Sequence, residues 1–235
     1  MNEVLCGSLA EGRRLEIIEA AERCVMKTGL HRLTLRDIAR EQGGSLGNIY
    51  NYFANKEEIV EAIVERETDR FIAIAVQGGK AQGEGTLGER LREHMTSFVD
   101  AYLDSDGARV AVSIAAEAMI NERVRDIIAR ANQRLYEVIS NDVINNRQNS
   151  WPIPKAKMQA QLALSRSLLE GLRVTAIFNP GIDRKELRAV AIDRLVHGIL
   201  ADLAASKGVT VEELSRWPTA VQIEMCCPTV ASLTA

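Results

Sequence analysis

An all-α fold is predicted by three features of the sequence. Aromatic residues make up only 4% of the chain and proline occurs five times in 235 residues, while alanine, leucine, isoleucine, glutamate and arginine abound. That is a helix-forming composition. Apolar residues recur three and four positions apart over long stretches, the spacing of one helix face. The breaks between those stretches carry cap residues, Thr34 before Asp37, Ser45, Asn55 before Glu58, Thr86 before Glu89 and Asp183 before Glu186. In each, a side-chain oxygen can accept from an unpaired helical amide. A chain of this length has material for one large domain or two small ones.

The first helix is expected to begin at Ser8, with Glu11 completing a capping box. A second runs from Leu35 to about Gln42, capped by Thr34. Leu35, Ile38 and Ala39 share its apolar face, and Arg36, Asp37, Arg40 and Glu41 stay wet. Gly43 and Gly44 let the chain turn sharply, and Ser45 caps a short third helix from Leu46 to about Phe53. Ile49 and Phe53, four apart, face inward. Gly47, Asn48, Tyr50, Asn51 and Tyr52 are left outside, where an ordinary surface helix would carry lysine, glutamate and alanine.

Two short helices joined by a glycine turn, ending in exposed amide and phenol side chains, have the layout of a DNA-reading helix-turn-helix. Tyrosine hydroxyls and asparagine amides bond phosphate oxygens, asparagine also pairs with the edge of adenine, and Gly47 admits a close backbone approach. The plain alternative is that the tyrosines pack on neighbouring helices. Asn55 and Glu58 start a further helix with Lys56 in its first turn, where a cation and the helix dipole can both hold phosphate.

Arg14 to about Val64 resembles the DNA-binding domain of the tetracycline-repressor (TetR) family of bacterial regulators. The resemblance rests on Ile18, Ala20, Ala21, Gly29, Thr34, Arg36, Asp37, Ile38, Ala39, Gly43, Ser45, Gly47, Ile49, Tyr50, Tyr52, Phe53, Lys56 and Glu57, with every spacing kept. It implies an N-terminal three-helix helix-turn-helix DNA-binding domain over 9–56. A C-terminal helical ligand-binding and dimerisation domain would cover 57–216, followed by a low-charge tail over 217–235. The DNA-contacting set is then Thr34, Arg36, Ser45, Leu46, Gly47, Asn48, Tyr50, Asn51, Tyr52 and Lys56. There are departures. Gly44 replaces a small apolar residue that plugs the turn, Val25 a larger aromatic, and Leu46 a lysine or proline. The first two predict a slightly looser head and the third an operator of its own.

Charge agrees with a local nucleic-acid site. The net charge of −3 argues against a general nucleic-acid coat protein, but from Arg13 to Lys56 eight lysines and arginines face five acids. No stretch approaches the roughly 20 apolar residues of a membrane helix, and no signal pattern opens the chain; a cytoplasmic protein without membrane contact is expected. Cys6, Cys24, Cys226 and Cys227 form neither a disulfide framework nor a zinc pattern. No metal site, cofactor, paired acid and base or nucleophile elbow is found, so the reading is not an enzyme.

Downstream helices are expected from about Asn55 to Val76, Leu87 to Leu103, Gly107 to Met119, Glu122 to Asn145, Lys155 to Phe178 and from Asp183 onward. The last two mix apolar stripes with small residues, which suits a four-helix seam with a second copy. The interface residues are expected to be Leu162, Leu169, Leu172, Ala176, Leu195, Ile199 and Leu203, although both helices also suit the chain's own core. The resemblance implies the same pairing across a two-fold axis, and a palindromic double-stranded DNA operator bound by the homodimer. It also implies release of that operator when a small molecule of unknown identity enters the body. Met95, Phe98, Tyr102, Met119 and Tyr136 are the candidate lining, because methionine and aromatics make adaptable walls. A regulator of the same fold that activates, or that answers to redox or a protein partner, is the alternative.

Overall fold

The computed structural model describes residues 2–80, 85–147 and 154–218. Those residues form ten helices: α1 (Asn2–Thr28), α2 (Leu35–Gln42), α3 (Leu46–Tyr50), α4 (Lys56–Lys80), α5 (Leu87–Leu103), α6 (Ser105–Ala118), α7 (Glu122–Arg147), α8 (Lys155–Phe178), α9 (Arg184–Lys207) and α10 (Val211–Ser215). The chain divides into two compact units, one of residues up to Arg70 with Ser105–Arg134, the other of Phe71–Asp104 with the residues from Leu135 onward.

The first unit closes around Ile17, Ile18, Ala21 and Val25 of α1, Ile38 and Ala39 of α2, Ile49 and Phe53 around α3, and Ile59, Val60 and Ile63 of α4. Val110 and Ile114 of α6 and Val124 of α7 complete the same core. Hence α6 packs on α1, and the Leu30 N–H after α1 donates to Ser113 Oγ at 2.9 Å. Ion pairs add a polar rim: Arg66 with Glu22, Arg130 with Glu61, and Arg134 with Asp69 at 2.6 Å. Such exposed pairs contribute no more than about 1 kcal/mol each. The apolar burial dominates.

In the second unit α5 packs on α8 and α9, and α10 rests on α5 and α9. Thr86 and Glu89 form the expected capping box, with the Glu89 amide donating to Thr86 Oγ1 and the Thr86 amide to Glu89 Oε2. At Gly88 the approach is close, since a Cβ there would stand 3.1 Å from the Ser215 carbonyl. The core holds Phe71, Leu91, Met95, Phe98, Tyr102, Leu169, Leu172, Ile192, Leu195 and Leu203. Arg173, only 4% exposed, lays its guanidinium 4.3 Å from the Tyr102 ring centre and 5.4 Å from that of Phe71.

Several expectations are corrected. Helix α1 starts at Asn2, so Ser8 is not its cap. Helix α4 continues through Gly78 and Gly79 to Lys80, four residues past the expected stop at Val76. Trp217, the first residue of the low-charge tail, packs against the core, and its carbonyl accepts from the Leu87 amide at 2.8 Å. Residues 219–235, with Cys226 and Cys227, lie outside the described residues.

The larger correction concerns the seam. Leu169, Leu172, Leu195 and Leu203 are buried in the chain's own core, Ile199 packs against it, and Leu162 and Ala176 are half-buried on the same side of α8. The outward apolar residues are others. Leu164, Leu168 and Phe178 are 72%, 37% and 69% exposed, and with Gly171 and Thr175 they follow a four-three spacing along α8. Val190 and His197 are exposed on α9, with Gly198 and Ala205. Met119 is likewise 79% exposed at the end of α6 and belongs to the first unit, whereas Met95, Phe98 and Tyr102 belong to the second.

Candidate nucleic-acid interface

The site is built on α2, the glycine turn and α3. Thr34 caps α2: its Oγ1 accepts the Asp37 amide at 3.2 Å and its hydroxyl donates to the Asp37 carboxylate. That hydroxyl, with Arg40 at 3.2 Å, holds the Asp37 carboxyl below its ordinary range. Glu41 ties α2 to α1 by accepting from Lys27 at 2.6 Å and Arg23 at 3.0 Å, and its carboxyl is lowered by those two cations in the same order. Gly43 ends the helix with φ +78°, a left-handed angle that a side chain would strain. The Gly44 amide then closes on the Ala39 carbonyl at 2.9 Å.

Ser45 caps α3, its Oγ accepting the Asn48 amide at 3.2 Å. The helix itself stops at Tyr50, short of the expected Phe53, but the Phe53 amide still donates to the Ile49 carbonyl at 3.0 Å, so the turn carries on. Ile49 and Phe53 are buried as expected, at 0% and 1% exposure. With that edge anchored, the opposite edge faces out: Ser45, Gly47, Tyr50 and Asn51 are exposed, and Leu46 and Asn48 are half-exposed. Thr34 and Arg36 are exposed on α2. The amides of Asn48 and Asn51, the hydroxyls of Thr34, Ser45 and Tyr50 and the Arg36 guanidinium thus all belong to residues open to solvent.

Tyr52 departs from that set. It is half-buried and packs against the core, so the packing reading holds for it and not for Tyr50. Lys56 is half-buried and its Nζ donates to the Leu30 carbonyl at 3.4 Å, which gives it a structural tie besides its place at the start of α4. The cap of α4 is a variant of the expected one: Asn55 Oδ1 accepts the Glu58 amide at 2.9 Å, while the Glu58 carboxylate reaches the Ala54 amide at 2.8 Å. Cys24 is buried, and burial pushes its thiol up, as for a small core residue.

One fastening had no local sequence signal. Arg14 donates to the Tyr52 carbonyl at 3.1 Å and stacks its guanidinium 4.2 Å from the Phe53 ring centre. The two partners are 38 positions apart, and helical spacing does not connect them. The contact holds the chain after α3 against α1. Gly44 also differs from its expected effect: it is exposed, and the space a side chain would take is lined by Gln42 and Asn48. Val25, by contrast, is 2% exposed in the core.

Residues 17–63 match the model of the bacterial regulatory proteins of the tetR family. Over 56 residues the chain is 48% identical to the HTH-type transcriptional regulator TtgR of Pseudomonas putida; the match covers 24% of this chain and 27% of that protein, so the chain spans about a quarter of the length of that relative. Among solved structures, a TetR-family regulator from Mesorhizobium loti aligns with TM-score 0.66 at 17% identity, over 83% of this chain and 97% of that one. FadR of Bacillus subtilis, solved with stearoyl-CoA, aligns with TM-score 0.63 at 20% identity, over 78% and 98% of the two chains. No described helix is long and apolar enough to cross a membrane. Residues 17–63 thus match the DNA-binding head of the tetR family, and the chain shares its fold with solved regulators.

Proposed function

We propose that the chain is a one-component transcriptional repressor that binds a palindromic operator as a homodimer and releases it when a small molecule occupies the second unit. The observation that carries this reading is the set of exposed polar residues on and around α3. Ser45, Gly47, Asn48, Tyr50 and Asn51 project from a short helix whose other edge is anchored by Ile49 and Phe53. Helix α3 enters the major groove in this reading, with Asn48 and Asn51 at base edges and Tyr50, Thr34 and Arg36 on phosphates. Lys56 contributes from the first turn of α4.

Dimerisation is assigned to the outward stripe of α8 with its counterpart on α9. Leu164, Leu168 and Phe178 form an apolar strip flanked by small residues, a surface that a chain on its own would leave in water. Two heads related by a two-fold axis then meet two half-sites about one helical turn apart. The effector is assigned to the second unit, where Met95, Phe98 and Tyr102 share one core, Arg173 lies over Tyr102 and Tyr136 keeps its hydroxyl buried. A ligand acts only through its better affinity for the DNA-incompetent state, so a hundredfold loss of operator affinity corresponds to about 2.7 kcal/mol of coupling. FadR, which shares the fold, is solved with stearoyl-CoA, which supports a small-molecule effector.

Selection of bound fragments from sheared bacterial DNA, followed by titration at two salt concentrations, tests the proposal. One or a few palindromic sites with tight, salt-sensitive binding are expected. Recovery of fragments without sequence in common would overturn it.

A further inference from the structure

The turn between α2 and α3 contains a pair of amides that packing alone does not require. Gly44 has no side chain, and a Cβ placed on it would stand 3.1 Å from Gln42 Oε1, 3.7 Å from Gln42 Cδ and 3.5 Å from Asn48 Nδ2. The Gln42 side chain therefore occupies the space beside Gly44, and its carbonyl oxygen and the Asn48 amide nitrogen border that one spot. Gln42 Oε1 is out of solvent and accepts no hydrogen bond among the described residues. A buried acceptor thus sits beside a donor on the helix assigned to base reading.

We propose that Gln42 is a positioning residue that determines base specificity through Asn48, an inference that rests on the assignment of α3 to the major groove. A terminal amide is nearly symmetric in shape, and the end it presents to a base decides which base it accepts. Gln42 Oε1 takes one N–H of Asn48 Nδ2 as the side chain settles against DNA. The remaining N–H and Oδ1 stay side by side for adenine N7 and the adenine 6-amino group. Flipped, the same amide would turn a second acceptor toward Oε1 and lose both the bracing bond and the adenine pairing. Gly44 is part of the device, because a methyl group there would press on Gln42 Oε1 and move it off Asn48.

The test measures base preference at every operator position for the full-length chain and four variants, with thermal melting and affinity for non-specific DNA recorded beside it. Asn48→Ala identifies the position that Asn48 reads, and that position should be adenine in the wild-type site. Gln42→Met keeps the volume and removes the acceptor; it should lower the adenine preference at that same position by about tenfold, the scale of one lost base pairing, with melting and non-specific affinity unchanged. Gly44→Ala should give the same relaxation by displacing Oε1. Gln42→Glu retains an acceptor and should keep the preference while weakening binding to all DNA. Relaxation by Asn48→Ala but not by Gln42→Met or Gly44→Ala would overturn the inference and leave the DNA-reading assignment standing. A wild-type chain that selects no sequence would overturn that assignment itself.

Discussion

Helices α2 and α3 and helices α8 and α9 are all amphipathic, yet only the first pair presents a single apolar face. In α2, Ile38 and Ala39 are buried while Arg36 and Arg40 are exposed, and the spacing identifies the inward side without ambiguity. Helix α8 has apolar residues on two sides. Leu169 and Leu172 enter the core at 7% and 6% exposure, and Leu164 and Phe178 remain outside at 72% and 69%. A helix with two apolar stripes serves two partners, and periodicity alone does not say which stripe meets which. The stripe of Leu169 and Leu172 went to the chain's own core, and the one that contains Gly171 and Thr175 was left outward.

The strongest way to break this contrast is a charge on each stripe in turn. Leu195→Asp places a carboxylate in the core and should cost at least about 3 kcal/mol, seen as loss of the second unit's transition in urea. Leu168→Glu should leave urea unfolding of the monomer almost unchanged and shift sedimentation from dimer to monomer. Reversal of the two results would exchange the roles of the stripes.

A smaller effect belongs to the turn. Gly43→Ala forces a side chain into the left-handed angle and should lower head stability by about 1–2 kcal/mol in thermal melting, whereas Gly47→Ala, inside α3, should not destabilise it. Tyr50→Phe removes one exposed hydroxyl. A fall of about 1 kcal/mol in DNA affinity is expected at constant melting temperature. If melting falls instead, Tyr50 holds the head together as Tyr52 does.

The smallest effect is electrostatic. Asp37 and Glu41 are held below their ordinary range in the folded head, so their stabilisation is complete above the unfolded carboxylate values and is lost as pH falls through the folded ones. The melting temperature should be level from pH 8 down to about 5 and decline below about pH 4. Glu41→Gln should remove part of that acid-side decline, and an identical decline in the variant would show that its contacts with Lys27 and Arg23 contribute nothing.

The head was legible because its signals are local. Caps at Thr34, Ser45 and Asn55, the turn at Gly43 and the spacing of Ile49 and Phe53 are each set within a few residues, and the structure has all of them. What was missed depends on distant partners. Arg14 meets Phe53 across the head, α6 supplies Val110 and Ile114 to the first unit's core, and Arg173 lies on Tyr102 and Phe71. A charged residue on the inner side of α8 is a visible anomaly in the sequence, but the rings that receive it are not. Gln42 is the intermediate case: the missing side chain at Gly44 is visible in the sequence, and only the fold shows what occupies its place.

The proposed function requires two copies of this head on one palindromic site. The most direct measurement is a titration of a selected duplex with the full-length chain, using the intact palindrome and a version with one half-site scrambled, with complex mass determined by sedimentation. Two chains on the intact site, and an affinity lower by at least about a hundredfold when one half is lost, are the predicted result. Equal affinity for both duplexes, with one chain bound to each, would contradict the account.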